Sequence, residues 1–335
     1  ARVTKNARGP SDSGGVSQLA SPAQASDMIT TAGKKRMNPG YAEGEAEDKG
    51  PRARGRQRLV QRVLVDSLRG SPTRVITPRD RMPELPDIDA YCHALRARVV
   101  GQPLVRFELL SPFVLRTVTP APASAEGRVL TQVGRLGKRV VLRFEGELHF
   151  VIHLMIAGRL RFDPMVAGRK PLKLLSPRAG ALFALHFPTG RLSLGEVSKK
   201  KRAKLHVVTG EAALREHDPG GVEPLEVDLS AFRAALTAEN HTIKRALTDP
   251  RVLSGIGNAY SDEILHRARL TPVRWTTRLT DDDFARLYDA TRDVLSEFRE
   301  RMITELDGGF PEKGTAFRPD LAAHGKYGQA CPVCA

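Results

Sequence analysis

Met82-Pro83-Glu84-Leu85-Pro86-Asp87 is the stretch around which the chain is organised. It reads as a translation start set 81 residues inside the sequence. Patterned helices and strands follow it, and only a brief apolar rhythm over Gln57–Leu68, a marginal helix at most, precedes it. With Met82 removed, Pro83 would carry an N-terminal secondary amine. An α-amino group titrates roughly 2 units below a lysine, so more of it is unprotonated and nucleophilic near neutral pH. Glu84 stands beside it as a candidate acid/base. A turn followed by a helix cap would use the same residues, so the rest of the chain has to decide between these readings.

Upstream, residues 1–81 are rich in Gly, Ser, Pro, Ala and charge, and read as a disordered basic tail. They hold 16 Lys+Arg against 8 Asp+Glu, and the remainder holds 37 against 30, so half of the net +15 lies in the tail. The tail is expected to be a start-site artefact; otherwise it is a basic arm adding non-specific affinity for a polyanion. The overall balance favours nucleic acid as partner over an anionic membrane. No run approaches the length of a membrane span, and the three cysteines (Cys92, Cys331, Cys334) make no disulfide framework, which suits a reducing cytoplasm.

Downstream, Asp87 is placed to cap a helix over 88–100, with Ile88, Tyr91, Leu95 and Val99 on one face. Eight short strands follow, at 104–110, 129–133, 140–144, 149–155, 159–163, 181–187, 191–194 and 203–208. That spacing predicts a β-sandwich or barrel. Helices are then predicted over 228–237, 242–247, 258–268 and 281–306. Before the third lies Ser254-Gly255-Ile256-Gly257-Asn258, where two glycines expose backbone amides, a ready phosphate site, and Asn258 is placed as the cap. The chain ends in Cys331-Pro332-Val333-Cys334-Ala335, which reads as half of a four-ligand zinc knuckle. The fold class expected is α+β multidomain. A helix plus β-sandwich occupies 82–215, a helical domain 216–310 and a partial zinc finger 311–335.

Four separated features agree: Pro83-Glu84, Gly134-Arg135-Leu136-Gly137-Lys138-Arg139, Gly255-Ile256-Gly257-Asn258-Ala259-Tyr260 with Glu263, and the terminal Cys pair. Together, from Met82 onward, they resemble the formamidopyrimidine-DNA glycosylase / endonuclease VIII family of base-excision repair enzymes. The resemblance implies a β-sandwich opened by the catalytic helix, a helix–two-turns–helix domain and a zinc finger holding one zinc per complete protein. It implies a bifunctional glycosylase and abasic-site lyase that forms a proline imine and nicks the strand by β,δ-elimination. Its partner would be double-stranded DNA with a damaged base or abasic site, and the protein a monomer of the bacterial cytoplasm and nucleoid.

By position, Pro83 would match the nucleophile, Glu84 the acid/base and Lys138 the phosphate-binding lysine beside the lesion. His153, Arg159, Lys201, Arg202, Lys244, Gly257 and Asn258 would face DNA, and Cys331 and Cys334 would hold metal. One departure bears on substrate choice. Family members that prefer oxidised purines carry an aromatic wedge after an arginine pair, whereas Lys200-Lys201-Arg202-Ala203-Lys204 has no aromatic residue. Filling the gap left by a flipped base would fall to Ile156 or Arg202. The readings that compete are a non-catalytic damaged-DNA-binding protein of the same fold and an RNA-binding ribosomal protein.

Overall fold

The structure is a computed structural model, and it describes residues 82–166, 168, 173–198, 200–311 and 318–333. The expectations for residues 1–81, and for Cys334 as a ligand, lie outside those residues.

The first helix, α1, spans Leu85–Val99 and so begins three residues before the expected start. Glu84, not Asp87, is the N-cap, and Asp87 at the third helical position accepts the Glu84 N–H at 2.9 Å. Pro86 fits this first turn because its missing N–H would have no partner there. Two kinds of side chain leave the helix. Ile88, Tyr91, Cys92, Leu95 and Val99 enter one core, and Leu85 and Ala90 enter another. The helix is thus a wedge shared by both halves of the molecule, and its N-terminus is where they meet.

The first core lies between two antiparallel four-stranded sheets. One has the order β1 (Arg106–Leu109), β6 (Ala181–Phe187), β7 (Gly190–Glu196), β5 (Gly158–Pro164). The other has the order β2 (Leu130–Leu136), β3 (Arg139–Phe144), β4 (Leu148–His153), β8 (Lys204–Thr209). Period-two alternation sends Val140, Leu142, Phe144, Phe150, Ile152, Leu205 and Val207 inward to meet Phe183, Leu185, Leu192 and Leu194. Phe107 stacks against Phe183 and meets Phe150 edge-on. A short helix absent from the sequence reading, α2 (Glu211–Arg215), lays Leu214 over Val141, Val151 and Val208 on the outer face of the second sheet.

The second core is helical, with α3 (Leu229–Thr237), α4 (Ile243–Thr248), α5 (Asn258–Ala268) and α6 (Asp281–Glu305). Thr280 and Asp283 form a reciprocal capping box that starts α6. Phe232, Ile264, Leu287, Leu295 and Phe298 are buried among these helices. Arg135 ties the two halves together, donating to Asp89 on α1 at 3.0 Å, to both Glu223 oxygens at 2.6 and 3.2 Å, and to the Gly137 carbonyl at 3.1 Å. Ser254 donates to the same Glu223 at 2.5 Å. Among the described residues no helix is long and apolar enough to cross a membrane.

Candidate active site

The N-terminus of α1 lies against the N-terminus of α5. The first amides of any helix lack intrahelical acceptors and carry partial positive charge. Asn258 was the expected cap of α5, but Gly257 holds the N-cap position and offers no side chain, while Asn258 is the exposed first helical residue. Glu84 supplies the cap from 173 residues away in sequence. Its carboxylate accepts the N–H of Gly257 at 2.7 Å, of Ala259 at 2.9 Å and of Tyr260 at 3.2 Å. It is only 4% exposed.

Two glycines permit this approach. Gly255 adopts φ +79°, and a Cβ there would lie 2.8 Å from the Leu85 Cβ. Its carbonyl accepts the Leu85 N–H at 2.9 Å, which docks the first turn of α1 on the loop. A Cβ on Gly257 would lie 2.6 Å from Glu84 Oε1 and 2.8 Å from Lys138 Nζ. Glu84, Lys138 and the Gly257 backbone therefore crowd around one point, with Pro83 buried next to Glu84. Lys138 stands in the β2–β3 turn. Burial pulls its ammonium below the ordinary lysine range, and the Glu84 carboxylate opposes that shift.

Asp87 is a participant that sequence reasoning took for a cap alone. It is 5% exposed, and burial pushes its carboxyl up to about 7, raised further by the Glu84 charge and lowered by the Glu84 N–H it accepts. Against ~3.9 in the unfolded chain, the folded state holds the extra proton. Stability from this group is full below about pH 4 and is lost as pH rises through about 7, a change of order a few kcal/mol. Asp87→Asn should flatten the melting-temperature profile across that window, because the amide oxygen can still accept the Glu84 N–H. An unchanged profile would show that Asp87 ionises normally.

The remaining expected site residues are dispersed around this centre. His153 ends β4, and its Nδ1 accepts the Met155 N–H at 3.0 Å. Burial and the charges of Arg139, Lys204 and Lys138 hold its imidazole down at about 4. Met155 sits at φ 55°, in the left-handed region, which tightens the turn carrying Ile156. Arg159 donates to the carbonyls of Ile156 at 3.0 Å and Gly158 at 2.7 Å, bracing that turn. Lys201 donates to the Glu196 carbonyl, and the buried Glu196 carboxylate accepts the N–H groups of Arg202 and Ala203 at 2.8 and 3.0 Å. Lys244 is committed to Asp262 at 2.5 Å and the Asn258 carbonyl at 2.9 Å. Glu263 accepts the N–H groups of Ala322, Ala323 and His324, anchoring residues 322–324 on α5. Cys331 lies 3.4 Å from His266 Nε2, and among the described residues no group of three or more His, Cys, Asp or Glu is placed to hold a metal. A closed zinc site needs four donors, and of the expected pair Cys331 alone lies among the described residues.

Residues 82–219 match the formamidopyrimidine-DNA glycosylase N-terminal domain, and residues 221–304 match the formamidopyrimidine-DNA glycosylase H2TH domain. The chain is 34% identical over 254 residues to the formamidopyrimidine-DNA glycosylase of Heliobacterium modesticaldum, covering 74% of this chain and 86% of that one. It is 32% identical over 266 residues to the Thermus thermophilus enzyme of the same name, covering 76% and 91%. Its fold resembles that of Lactococcus lactis Fpg in a crystal complex with DNA containing an abasic site, with TM-score 0.63, 24% identity and 75% and 91% coverage.

Proposed function

The chain belongs to the formamidopyrimidine-DNA glycosylase family, and from that premise we propose that it removes damaged bases from double-stranded DNA and cleaves the abasic site left behind. The observation that carries the reading is the Glu84 carboxylate, held by three backbone amides at the N-terminus of α5 with Lys138 and Pro83 beside it.

The chemistry runs as follows. A base inside a duplex is out of reach, so the nucleotide must turn out of the stack, at a cost of a few kcal/mol. The lone pair of a free Pro83 amine forms a bond to C1′ as the bond from C1′ to the base breaks, and the base leaves with a proton. Glu84 gives a proton to the sugar ring oxygen as the C1′–O4′ bond breaks and the Pro83 nitrogen lone pair closes the cationic C1′=N imine, and it serves the later proton transfers. Loss of a proton from C2′ of the resulting imine expels the 3′ phosphate, and a second elimination expels the 5′ phosphate. Splitting one hard displacement into two easier steps is what a covalent intermediate supplies. Lys138, and the cations around it, would hold the flanking phosphates. A structural zinc, with Cys331 and Cys334 among its ligands, would steady the C-terminal segment.

The test is base release and strand nicking by a chain beginning at Pro83, on duplexes carrying formamidopyrimidine, oxidised purine, oxidised pyrimidine or abasic sites. Incision of at least one supports the reading. Tight binding without release or nicking of any would leave the non-catalytic damaged-DNA-binding protein. For Lys138 the expected result is uniform weakening. Lys138→Ala should lower affinity across sequences and reduce the slope of log K against log salt by about one contact. An unaltered slope would make Lys138 a bystander to phosphate.

A further inference from the structure

The outer face of the second sheet carries a row of basic side chains with no ion-pair partner among the described residues. Strand register places Arg139 opposite His153, and His153 opposite Lys204, across three adjacent strands. At ~4.8 Å per strand the row is roughly 10 Å wide, about the axial rise of three nucleotides. Arg139 directly follows Lys138, so the row begins at the active site. His206 lies two residues further along β8 on the same face, and the His217 ring packs on it with centroids 4.4 Å apart. Arg116 stands at the far end, its backbone N–H bonded to the Leu205 carbonyl.

Arg139, His153, Lys204, His206 and His217 are all half-buried. Several buried or half-buried cations elsewhere are neutralised: Arg135 by Asp89 and Glu223, Arg191 by Asp163, Lys244 by Asp262, and Arg318 by Glu305 and Asp320. None of the five residues of this row has a carboxylate within ion-pair distance among the described residues. The acidic groups that reach them electrostatically are Asp218 toward Arg139 and Glu216 toward His217, both exposed. Partly desolvated positive charge with no partner is costly. Here it forces the imidazoles to stay neutral. Burial, then His217, Lys204, Arg139 and Arg116, hold His206 down at about 4, and burial with Arg139 lowers His217.

We infer that Arg139, Lys204 and the stacked His206–His217 pair form a docking strip for the DNA backbone that extends the contact beyond Lys138 and takes up protons when phosphate binds. The inference rests on the proposed DNA substrate but not on the Pro83 chemistry. A phosphate placed among these groups supplies the missing negative charge, so the imidazoles bind protons from solvent and their titration moves up toward neutrality. Affinity then tightens as pH falls, by up to about tenfold per pH unit for each proton taken up. The strip also adds charge-neutralising contacts, each adding about 0.9 to the salt slope.

The test measures binding of the full chain to a duplex containing a tetrahydrofuran abasic-site analogue, across pH 6–8 and across salt concentrations. His206→Gln with His217→Gln should reduce the pH dependence by several fold across that range and leave the salt slope at pH 8 unchanged. Arg139→Ala, at a half-buried surface position, should lower the salt slope by about one. A pH dependence equal to the parent's in the double variant overturns the inference, as does an unchanged salt slope in Arg139→Ala. Absence of any duplex binding by the parent chain would overturn the proposed function itself and the strip with it.

Discussion

Glu84→Gln is expected to destabilise the protein by about 3–5 kcal/mol, from lost hydrogen bonds and an uncompensated charge. The carboxylate accepts three N–H groups through two oxygens, Gly257 and Tyr260 on Oε2 and Ala259 on Oε1. Glutamine keeps one oxygen. Its amide nitrogen must then point at one or two amide donors in a buried site, each unsatisfied group costing roughly 1–3 kcal/mol. The favourable interaction of a negative charge with the start of α5 is lost as well, typically 0.3–1 kcal/mol and up to ~2 when partly buried. Lys138 keeps its charge at a half-buried position without the carboxylate that opposes its desolvation. For a folded part of this size the melting temperature should fall by roughly 10 °C. The proposed reaction should slow as well, by about 10²–10⁴, as loss of a general acid/base does. A variant that melts within a degree of the parent would show that Glu84 is not the cap of α5. Full activity at unchanged temperature would remove it from the chemistry.

The same contact explains what the sequence made legible and what it hid. The strands were readable as short apolar runs punctuated by glycine and proline: Ala181–Phe187 runs at the expected positions, and the other strand limits move by at most two or three residues. Helix α6 ends one residue short of expectation, and its Thr280 start is a local capping signal. What depends on residues distant in sequence was not readable. Asn258 looked like a cap because caps are normally local, and only the fold brings Glu84 to Gly257. Asp87 looked like a cap for the same reason. Nothing near Arg135 announces that it will hold Asp89 and Glu223, which lie 46 and 88 residues away. The short helix α2 has too few residues for a period and is held in place by Leu214 on the sheet. His217 could not be paired with His206 from sequence, since only the turn after α2 brings its ring back onto β8.

The sharpest expectation concerns the nitrogen of Pro83. In the 335-residue chain that nitrogen is acylated by Met82, and its lone pair is delocalised into the carbonyl. A tertiary amide can neither attack C1′ nor carry an imine, however well Glu84 and Lys138 are placed. Met82 is half-buried and Pro83 buried, so the bond lies in the crowded centre of the site. Severing it would leave a secondary amine titrating near 7.7–8.0 as an ordinary chain terminus does, about half unprotonated just above neutrality. The full chain should therefore bind abasic DNA yet give no covalent product with borohydride. A chain beginning at Pro83 should give near-complete trapping, a difference of all against none. Mass spectrometry of the trapped digest should place the adduct on the peptide starting at Pro83. Lys138 is the competing nucleophile, since its lowered ammonium pKa and its position beside Glu84 suit it to imine formation. Efficient trapping by the uncleaved chain with the adduct on Lys138 would transfer the role from the proline nitrogen to the lysine. Trapping that survives Lys138→Ala and vanishes when Pro83 is acylated would fix it on the proline.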